Sequence, residues 1–227
     1  MKKKIKLPDV TLLSATSTEA DAAQISMRIS LHNIEFGAAK LLCSSLPEKK
    51  YPDIDYINIA PLKSVDDYNE IIFQNLIQYF KTSHCLIVQA DSFVINSSLW
   101  TNEFLKYDYI GGPWPDKIKI NPNLVLDLKK NPVGNGGFSL RSRKLAETTS
   151  KIKFSTLNFP MKAEDVVICY YLYQQMIDSG IRFAPPKLAA QFSLENVENL
   201  YNQNKNLKHP ALKRLRQKAK KNETFQS

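Results

Sequence analysis

Apolar segments of strand length alternate with segments of helical periodicity along most of this chain, and this alternation restricts the fold more than any single motif. Strand-length runs lie at Val10–Ala15 and His84–Ala90, and apolar residues repeat at helical spacing across Tyr68–Phe80. Strands that alternate with helices are typical of α/β domains with a largely parallel sheet. The sequence therefore predicts one α/β domain with a mostly parallel central sheet flanked by helices.

Other segments fit the same alternation. Residues 18–33 have helical character, with Ala22, Ile25 and Ile29 on one apolar face. Additional strands are predicted at residues 38–44, 54–59, 138–141 and 181–184, and a long helix at 164–179. Gly180 then occupies the position just past a helix end that favours glycine. We expect the compact domain to span residues 7–200 and a polar tail to span 201–227.

Composition excludes several classes of protein. Of the 227 residues, 43% are hydrophobic and 23% are charged, as in a soluble globular protein. Apolar runs fall short of the roughly 18 residues of a membrane span. Leu7-Pro8-Asp9 interrupts any signal-peptide core, so we expect no secretion signal and a cytoplasmic protein. The three cysteines show neither metal-ligand nor disulfide spacing.

Basic charge is concentrated at the two ends of the chain. The net charge is +9, yet the first six residues include four lysines and residues 205–221 contain eight Lys or Arg without an acid. The remainder, with 19 basic and 22 acidic residues, is mildly acidic. No basic–aromatic interleaving is present, so specific nucleic-acid binding is disfavoured. The basic tail is typical either of a solvated helix or of peripheral contact with an anionic membrane.

Glycine is used sparingly and mainly in one region. Five of the seven glycines lie between positions 111 and 137, in Gly111-Gly112-Pro113-Trp114 and Gly134-Asn135-Gly136-Gly137-Phe138-Ser139. Glycine serves where the backbone needs positive φ or close approach to a ligand. The second run matches neither GxxxxGK[ST] nor GxGxxG, so neither nucleotide fingerprint applies. It fits either a tight hairpin or a loop that admits a substrate ring or diphosphate.

Acidic residues stand at two positions suited to chemistry. Asp91 follows the predicted buried strand, where a carboxylate either holds a divalent cation or begins a turn. Glu164-Asp165 opens the long helix, where the helix dipole favours acids and where a general base would also fit. Trp114 is suited either to stacking on a sugar or to core packing. His209 lies in the polar segment and is free to reach a site.

Several phrases of the sequence, taken in order, resemble a known family. They are LIVQADSFVIN, FLKYDYIGGPW, VGNGGFSLRSRKL, AEDVVICYYL and GIRFAPPKLAAQFSLE, and the match covers most of residues 10–209. They resemble a bacterial family of uncharacterised glycosyltransferase-like proteins related to the GT-A fold of nucleotide-sugar-dependent glycosyltransferases. The resemblance implies one continuous sheet with a nucleotide-binding half and an acceptor half. It also implies a nucleoside diphosphate sugar as donor and a saccharide hydroxyl as acceptor.

The resemblance also implies roles for individual residues. Gln89-Ala90-Asp91 stands where the family's Asp-x-Asp motif binds metal, so Mn²⁺ or Mg²⁺ is expected at Asp91, with His209 as a further ligand. Ala163-Glu164-Asp165 resembles the x-Glu-Asp motif, whose aspartate is the base in inverting members, and Glu164 would hydrogen-bond the acceptor. The remaining implied contacts are Ser14, Thr16, Gln89, Gly136 and Gly137 for the donor, and Trp114 and Phe138 for the acceptor.

Three other classes stay open at this point. A catalytically silent relative that binds sugars or nucleotides would tolerate the reduced metal motif. A nucleotidyltransferase shares the carboxylate at a strand end but usually carries a glycine-rich basic loop after its first strand, where this chain has Ser14-Ala15-Thr16-Ser17-Thr18. A nucleic-acid-binding protein would explain the basic ends but neither the acidic body nor the glycine runs.

Overall fold

A computed structural model describes residues 4–193 of the chain. Its strands are β1 (Ile5–Thr16), β2 (Ile34–Cys43), β3 (Asp55–Asn58), β4 (His84–Val88), β5 (Tyr109–Ile110), β6 (Lys117–Asn121), β7 (Leu124–Asp127) and β8 (Phe138–Ser142). Six of them form a sheet of order β3-β2-β1-β4-β8-β5, and β6 and β7 form a separate hairpin. The pairs β1–β2, β1–β4 and β2–β3 are parallel, whereas β8 is antiparallel to both its neighbours. The predicted α/β domain with a mostly parallel sheet is confirmed.

Helices cover both faces of the six-stranded sheet. They are α1 (Ala20–Asn33), α2 (Val65–Glu70), α3 (Arg143–Thr149), α4 (Glu164–Val166), α5 (Tyr173–Asp178) and α6 (Pro186–Phe192). After α2 and after α4 the chain continues in wider π-helical turns, at Ile71–Asn75 and Val167–Tyr171. Short 3₁₀ turns lie at Leu76–Gln78, Ser97–Leu99, Asn102–Lys106 and Phe154–Thr156.

The central strand β4 is buried on both faces, because its side chains alternate between two hydrophobic layers. Leu86 and Val88 pack with apolar residues of α1 and α6. Cys85 and Ile87 pack on the other face, with residues of α3 and of the π-helical turn after α2. A third cluster joins the β6–β7 hairpin to α4, the turn that follows it and α5. The end of β4 is therefore held rigidly from both sides.

The structure corrects the predicted face of α1. The apolar face with Ala22 is exposed: 58% of Ile25 and 38% of Ile29 are accessible to solvent. The buried face instead includes Ser26 and Ser30, and the Ser26 hydroxyl donates to the Ala90 carbonyl at 2.6 Å. Buried hydroxyls are tolerated when they are hydrogen-bonded. This face of α1 therefore holds the segment that follows β4.

Two predicted elements near the C-terminal end differ from expectation. The expected strand at 181–184 is reduced to a single bridge between Phe183 and Tyr109. The expected helix at 164–179 is divided into α4, the π-helical turn and α5. Its end is as predicted: Gly180 has φ of 74°, and the amides after α5 donate to Ile177 and Met176 in a Schellman motif. The predicted tail at 201–227 lies outside the described residues.

His84 begins β4 as a buried, neutral side chain. Its Nε2 lies 3.2 Å from the Tyr107 carbonyl, and its Nδ1 lies 3.0 Å from the Ser83 hydroxyl. A carbonyl oxygen only accepts hydrogen bonds, so Nε2 carries the proton. Desolvation by burial lowers the pKa of His84 below its usual value.

We expect acidification below about pH 6.5 to destabilise the fold through His84. The unfolded chain takes up a proton near pH 6.5 while the folded chain does so only at lower pH, so the unfolded state gains stability as pH falls. Urea unfolding between pH 7.5 and 5.5 measures this slope. His84→Gln should reduce the slope, and equal slopes for wild type and His84→Gln would contradict the assignment.

Candidate active site

Two loops meet at one edge of the sheet because β8 runs antiparallel to β4. Val88, the last residue of β4, pairs with Phe138, the first residue of β8. The segment that leaves β4, Gln89-Ala90-Asp91, therefore lies beside the glycine run that enters β8. In open α/β sheets, ligands bind at this edge, outside the carboxyl ends of the parallel strands.

The segment around Asp91 is fixed by hydrogen bonds on both sides. The Ser92 hydroxyl donates to the Gly137 carbonyl at 2.6 Å and accepts from the backbone amide of Gln89 at 2.7 Å. The Val94 amide donates to the Ser30 hydroxyl of α1 at 3.0 Å. Asp91 itself is exposed. Its backbone is thus held between the glycine run and α1 while its side chain faces solvent.

The amide groups of the glycine run have partners inside the protein. The Gly136 amide donates to Asp165 Oδ2 at 2.9 Å, and the Gly136 carbonyl accepts from the Ser139 hydroxyl at 3.0 Å. The Gly137 amide donates to Asn135 Oδ1 at 3.1 Å. Asn135 has φ of 61°, which its short polar side chain tolerates. The Gly136 and Gly137 amides are therefore already bonded within the protein.

A buried ion pair lies beneath Gly136. Arg141 Nη2 is 2.6 Å from Glu164 Oε2, and the two side chains are 1% and 4% exposed. Neither Arg141 Nη2 nor Glu164 Oε2 has a hydrogen-bond partner among the described residues, so their contact is an ion pair. Desolvation by burial raises the pKa of the Glu164 carboxyl, and the Arg141 guanidinium acts in the opposite direction. A Cβ on Gly136 would overlap Glu164 Oε1, which explains glycine at this position.

Arg141 has two further contacts on its buried side. Its Nε donates to the Ser139 hydroxyl at 3.1 Å. Its guanidinium carbon lies 5.1 Å from the centre of the Tyr109 ring, within the range of a cation–π interaction. One guanidinium therefore joins a carboxylate, a hydroxyl and an aromatic ring in the layer behind the candidate site.

Helix α2 supports the site from the other side. The Gln89 amide nitrogen Nε2 donates to the Tyr68 hydroxyl at 2.9 Å, and desolvation by burial raises the pKa of Tyr68, which keeps the phenol neutral. The Glu164 amide donates weakly to Asn69 Oδ1 at 3.4 Å. Lys162 Nζ lies 3.0 Å from Asp66 Oδ2 at the start of α2. These contacts bring the Gln89 and Glu164 segments together.

The structure brings together only part of the residue set expected from the sequence. Gln89 contacts Gly137, since a Cβ on this glycine would lie 2.6 Å from Gln89 Oε1. Gly136 contacts both acids of the Glu164-Asp165 pair. Asp165 is half-buried and accepts hydrogen bonds on both carboxylate oxygens, from Gly136 and from its own neighbour Val166.

Of three other expected contacts, Ser14 and Trp114 are buried, while the acceptor contact of Phe138 stays a prediction. Ser14 is 1% exposed, and its hydroxyl is buried inside the sheet layers, so it offers no surface to a nucleotide. Trp114 is 9% exposed and packs against Gly134 in the third hydrophobic cluster, which favours core packing over sugar stacking. Phe138 is half-buried and lies 5.2 Å from the Phe192 ring.

The last two expected ligand-binding residues are Thr16 and His209. Thr16 ends β1 half-buried, and its hydroxyl accepts from the Thr18 and Glu19 amides. This bonding caps the turn after β1 and leaves the donor contact of Thr16 a prediction. His209 lies outside the described residues, so its metal contact also stays a prediction.

Sequence reasoning missed Arg141 and Ser139. Their signal is the alternation in Phe138-Ser139-Leu140-Arg141, which places an apolar pair on one strand face and a polar pair on the other. In a strand buried on both faces, polar side chains need internal partners. The internal partners here are the Gly136 carbonyl and Glu164.

A divalent cation would find few protein ligands in the described part of the chain. Within residues 4–193 there is no group of three or more His, Cys, Asp or Glu residues that could hold a metal ion. Mg²⁺ is commonly held by one or two carboxylates together with substrate phosphates. Asp91 therefore fits such an ion only with ligands supplied by a bound diphosphate, water or residues beyond 193.

Comparison with solved structures identifies the fold as GT-A-like. The chain resembles the mannosyltransferase PcManGT from Pyrobaculum calidifontis, a structure in complex with GDP-Man and Mn²⁺, with a TM-score of 0.50 and 11% identity over 82% of this chain and 58% of that chain. It also resembles the glycosyltransferase GlyE of Streptococcus pneumoniae (TM-score 0.44, 11% identity, 82% and 46% covered). A third neighbour is 2-C-methyl-D-erythritol 4-phosphate cytidylyltransferase from Thermus thermophilus (TM-score 0.46, 10% identity, 85% and 95% covered). The chain spans a little over half of PcManGT.

Residues 52–211 match the model of one protein family, described as "Protein of unknown function (DUF5672)". The chain belongs to this family. No curated protein matches the sequence. The matched range includes the segment after β4, the glycine run and the Glu164-Asp165 pair.

We expect Gly136→Ala to disturb the site as well as the fold. The new methyl group would meet Glu164, which the Arg141 contact prevents from moving away, and such overpacking costs about 1–3 kcal/mol. Chemical unfolding measures the cost, and the NMR amide signals of the glycine run report the local change. Gly180→Ala is the matched control: alanine is strained at the positive φ of this position, so the variant should lose stability without a change at the site. Wild-type amide signals and stability in Gly136→Ala would contradict this packing.

Proposed function

We propose that this chain is a glycosyltransferase that moves a sugar from a nucleoside diphosphate sugar to a hydroxyl of a saccharide acceptor. The observation that carries the proposal is the contact between the half-buried Asp165 carboxylate and the Gly136 amide, at the ligand-binding edge of a GT-A-like sheet. A carboxylate held in a fixed position beside two glycines is suited to proton transfer from a bound hydroxyl.

In this proposal Asp165 is the general base. The acceptor oxygen attacks the anomeric carbon and its proton goes to Asp165, while the bond from that carbon to the diphosphate breaks and its electron pair leaves with the diphosphate. One base and no covalent intermediate imply inversion at the anomeric carbon. Glu164 is buried against Arg141 and acts by positioning its neighbour, so the acceptor contact expected of Glu164 would require the ion pair to open.

The bonding of the glycine run favours sugar transfer over nucleotidyl transfer. A phosphate loop binds its ligand through free backbone N–H groups. Here the Gly136 and Gly137 amides are already bonded to Asp165 and Asn135. The run is therefore better suited to lie against the uncharged face of a sugar ring than to bind the diphosphate.

The diphosphate would lie nearer Asp91. A bound Mn²⁺ or Mg²⁺ would neutralise charge on the departing diphosphate as a Lewis acid. Asp91 would hold this ion together with phosphate oxygens, and His209 stays a proposed further ligand. Gln89, two residues before Asp91, would help to orient the donor through its link to Tyr68.

A catalytically silent relative that binds sugars or nucleotides is the second candidate. The specific observation in its favour is the single exposed carboxylate at Asp91, with no further cluster of acidic or histidine ligands among residues 4–193. Measurement of nucleoside diphosphate release in the presence of acceptor separates this candidate from an active enzyme.

The cellular setting stays a proposal based on sequence. No helix within residues 4–193 is long and apolar enough to cross a membrane. We propose a cytoplasmic protein that contacts the anionic inner face of the membrane through the basic segment 205–221, which lies outside the described residues. Such contact contributes about 1 kcal/mol for each basic residue near the surface.

We expect Asp165→Asn to abolish transfer while nucleotide-sugar binding survives. Asparagine keeps one oxygen that can accept from the Gly136 amide and loses the one that accepts from Val166. It cannot take up the acceptor proton, so turnover should fall by about 10²–10⁴. Diphosphate release measures turnover, and thermal shift with a panel of nucleotide sugars measures binding. Asp178→Asn, an exposed acid on α5, is the control. Wild-type turnover in Asp165→Asn would remove Asp165 from the mechanism.

We expect Asp91→Ala to weaken nucleotide-sugar binding in the presence of Mn²⁺ by about tenfold or more. A charge-assisted contact of ordinary strength contributes about 1.5–3 kcal/mol, which corresponds to this factor. Isothermal titration with Mn²⁺ and with EDTA measures the affinity. Asp116→Ala, an exposed acid at the hairpin, should bind as wild type does. Equal wild-type affinity with Mn²⁺ and EDTA would contradict a metal role for Asp91.

A further inference from the structure

We infer that Arg141 is the positioning residue of this site: its one buried guanidinium fixes both hydrogen-bonding groups of Gly136 and thereby sets where Asp165 lies relative to the glycine run. This role concerns the site proposed above, so its catalytic meaning rests on the proposed function. The contacts of Arg141 with the residues around Gly136 are independent of that function.

The first arm of this network runs to the Gly136 amide. Arg141 Nη2 contacts Glu164 at 2.6 Å, and the next residue along the chain, Asp165, accepts from the Gly136 amide at 2.9 Å. Because Glu164 and Asp165 are adjacent at the start of α4, fixing the first side chain restricts the backbone that carries the second. Glu164 Oε1 also lies directly against the Gly136 Cα, so the pair touches the glycine itself.

The second arm runs to the Gly136 carbonyl. Arg141 Nε donates to the Ser139 hydroxyl at 3.1 Å, and this hydroxyl donates to the Gly136 carbonyl at 3.0 Å. A hydroxyl can accept one hydrogen bond and donate another, so Ser139 relays the orientation of the guanidinium to the loop. The two arms close a ring that begins and ends at Arg141.

Arginine suits this position better than lysine. The rigid guanidinium holds Nη2 against the Glu164 carboxylate and at the same time directs its Nε–H to Ser139. The Tyr109 ring beneath the guanidinium and the burial of Arg141 to 1% exposure leave the group little freedom. A lysine ammonium could stay close to Glu164, but lysine has no second donor that corresponds to the Nε–H bonded to Ser139.

The consequence for the proposed reaction is geometric. Arg141 is too deeply buried to touch a substrate at the open edge, so it acts through Gly136 and Asp165. Displacements of about 1 Å between a base and its substrate can lower a rate about 10²-fold. A variant that loses the ring but keeps its fold should therefore lose kcat with little change in KM.

The experiment uses the full chain with ¹⁵N and ¹³C labels. The double variant Arg141→Met/Glu164→Met removes both charges at similar volume, an exchange that often preserves stability. Ser139→Ala breaks the second arm alone, and Arg141→Lys keeps the charge beside Glu164. The matched control is Arg143→Lys, because Arg143 lies two residues after Arg141 and forms an exposed ion pair with Glu147. Thermal unfolding confirms which variants fold.

In the folded double variant, we expect the Gly136 amide proton signal to move upfield and its hydrogen exchange to quicken about tenfold, the factor for losing one hydrogen bond of ordinary strength. Ser139→Ala and Arg141→Lys should change the Gly136 carbonyl signal and leave its amide proton near the wild-type position. Arg143→Lys should change neither signal.

Wild-type Gly136 signals in the folded double variant would overturn the inference. If the double variant does not fold, the Gly136 carbonyl signal in Arg141→Lys decides the question. A wild-type value of this signal would overturn the inference, and a changed value would support it. Transfer assays on the same samples test the function separately. A wild type without transferase activity would remove the proposed function, while the NMR signals would still decide the position of Arg141.

Discussion

The buried contact between Arg141 and Glu164 is the interaction on which the candidate site depends. Removal of two charges from water costs several kcal/mol per ion, and loss of one partner from such a pair typically destabilises a protein by about 3–5 kcal/mol. The pair is weak evidence for stability, since apolar residues of similar volume often stabilise a core equally well. What the pair provides is orientation: Glu164 is fixed against Gly136, and Arg141 orients the Ser139 hydroxyl toward the same residue.

The reversed strand β8 explains how these groups meet. A parallel strand reaches the ligand-binding edge only with its C-terminal end, whereas β8 begins there and carries its polar face from Gly136 back toward Arg141. The loop and the residue that supports it are therefore close in sequence and in space. Helix α4 brings the two acids to the same edge from a distant part of the chain, so the site joins a local unit to a remote one.

The sequence was sufficient for the layered fold and for the glycine run, because strand-length apolar runs and rare glycines report directly on backbone needs. It misled on α1, where a second apolar stripe with Ala23, Met27 and Leu31 is buried instead of Ile25, and Ser26 and Ser30 on that face bond to the segment after β4. The buried surroundings of Ser14 and Trp114, like the partners of Arg141, depend on contacts between segments far apart in sequence. Periodicity within one segment does not contain such contacts.

The wide helical turn after α4 separates the two acids from the rest of their helix. In it the Leu172 amide bonds to the Val167 carbonyl, five residues back, instead of four. The wider turn shifts the angular register of the residues beyond it, so α5 presents a different face from the one that an unbroken α-helix would present. The chain can thus satisfy the apolar packing of α5 around Met176 without dictating where its acids point. The π-helical turn between the acids and α5 thus lets one continuous segment serve the candidate site at its start and the hydrophobic core at its end.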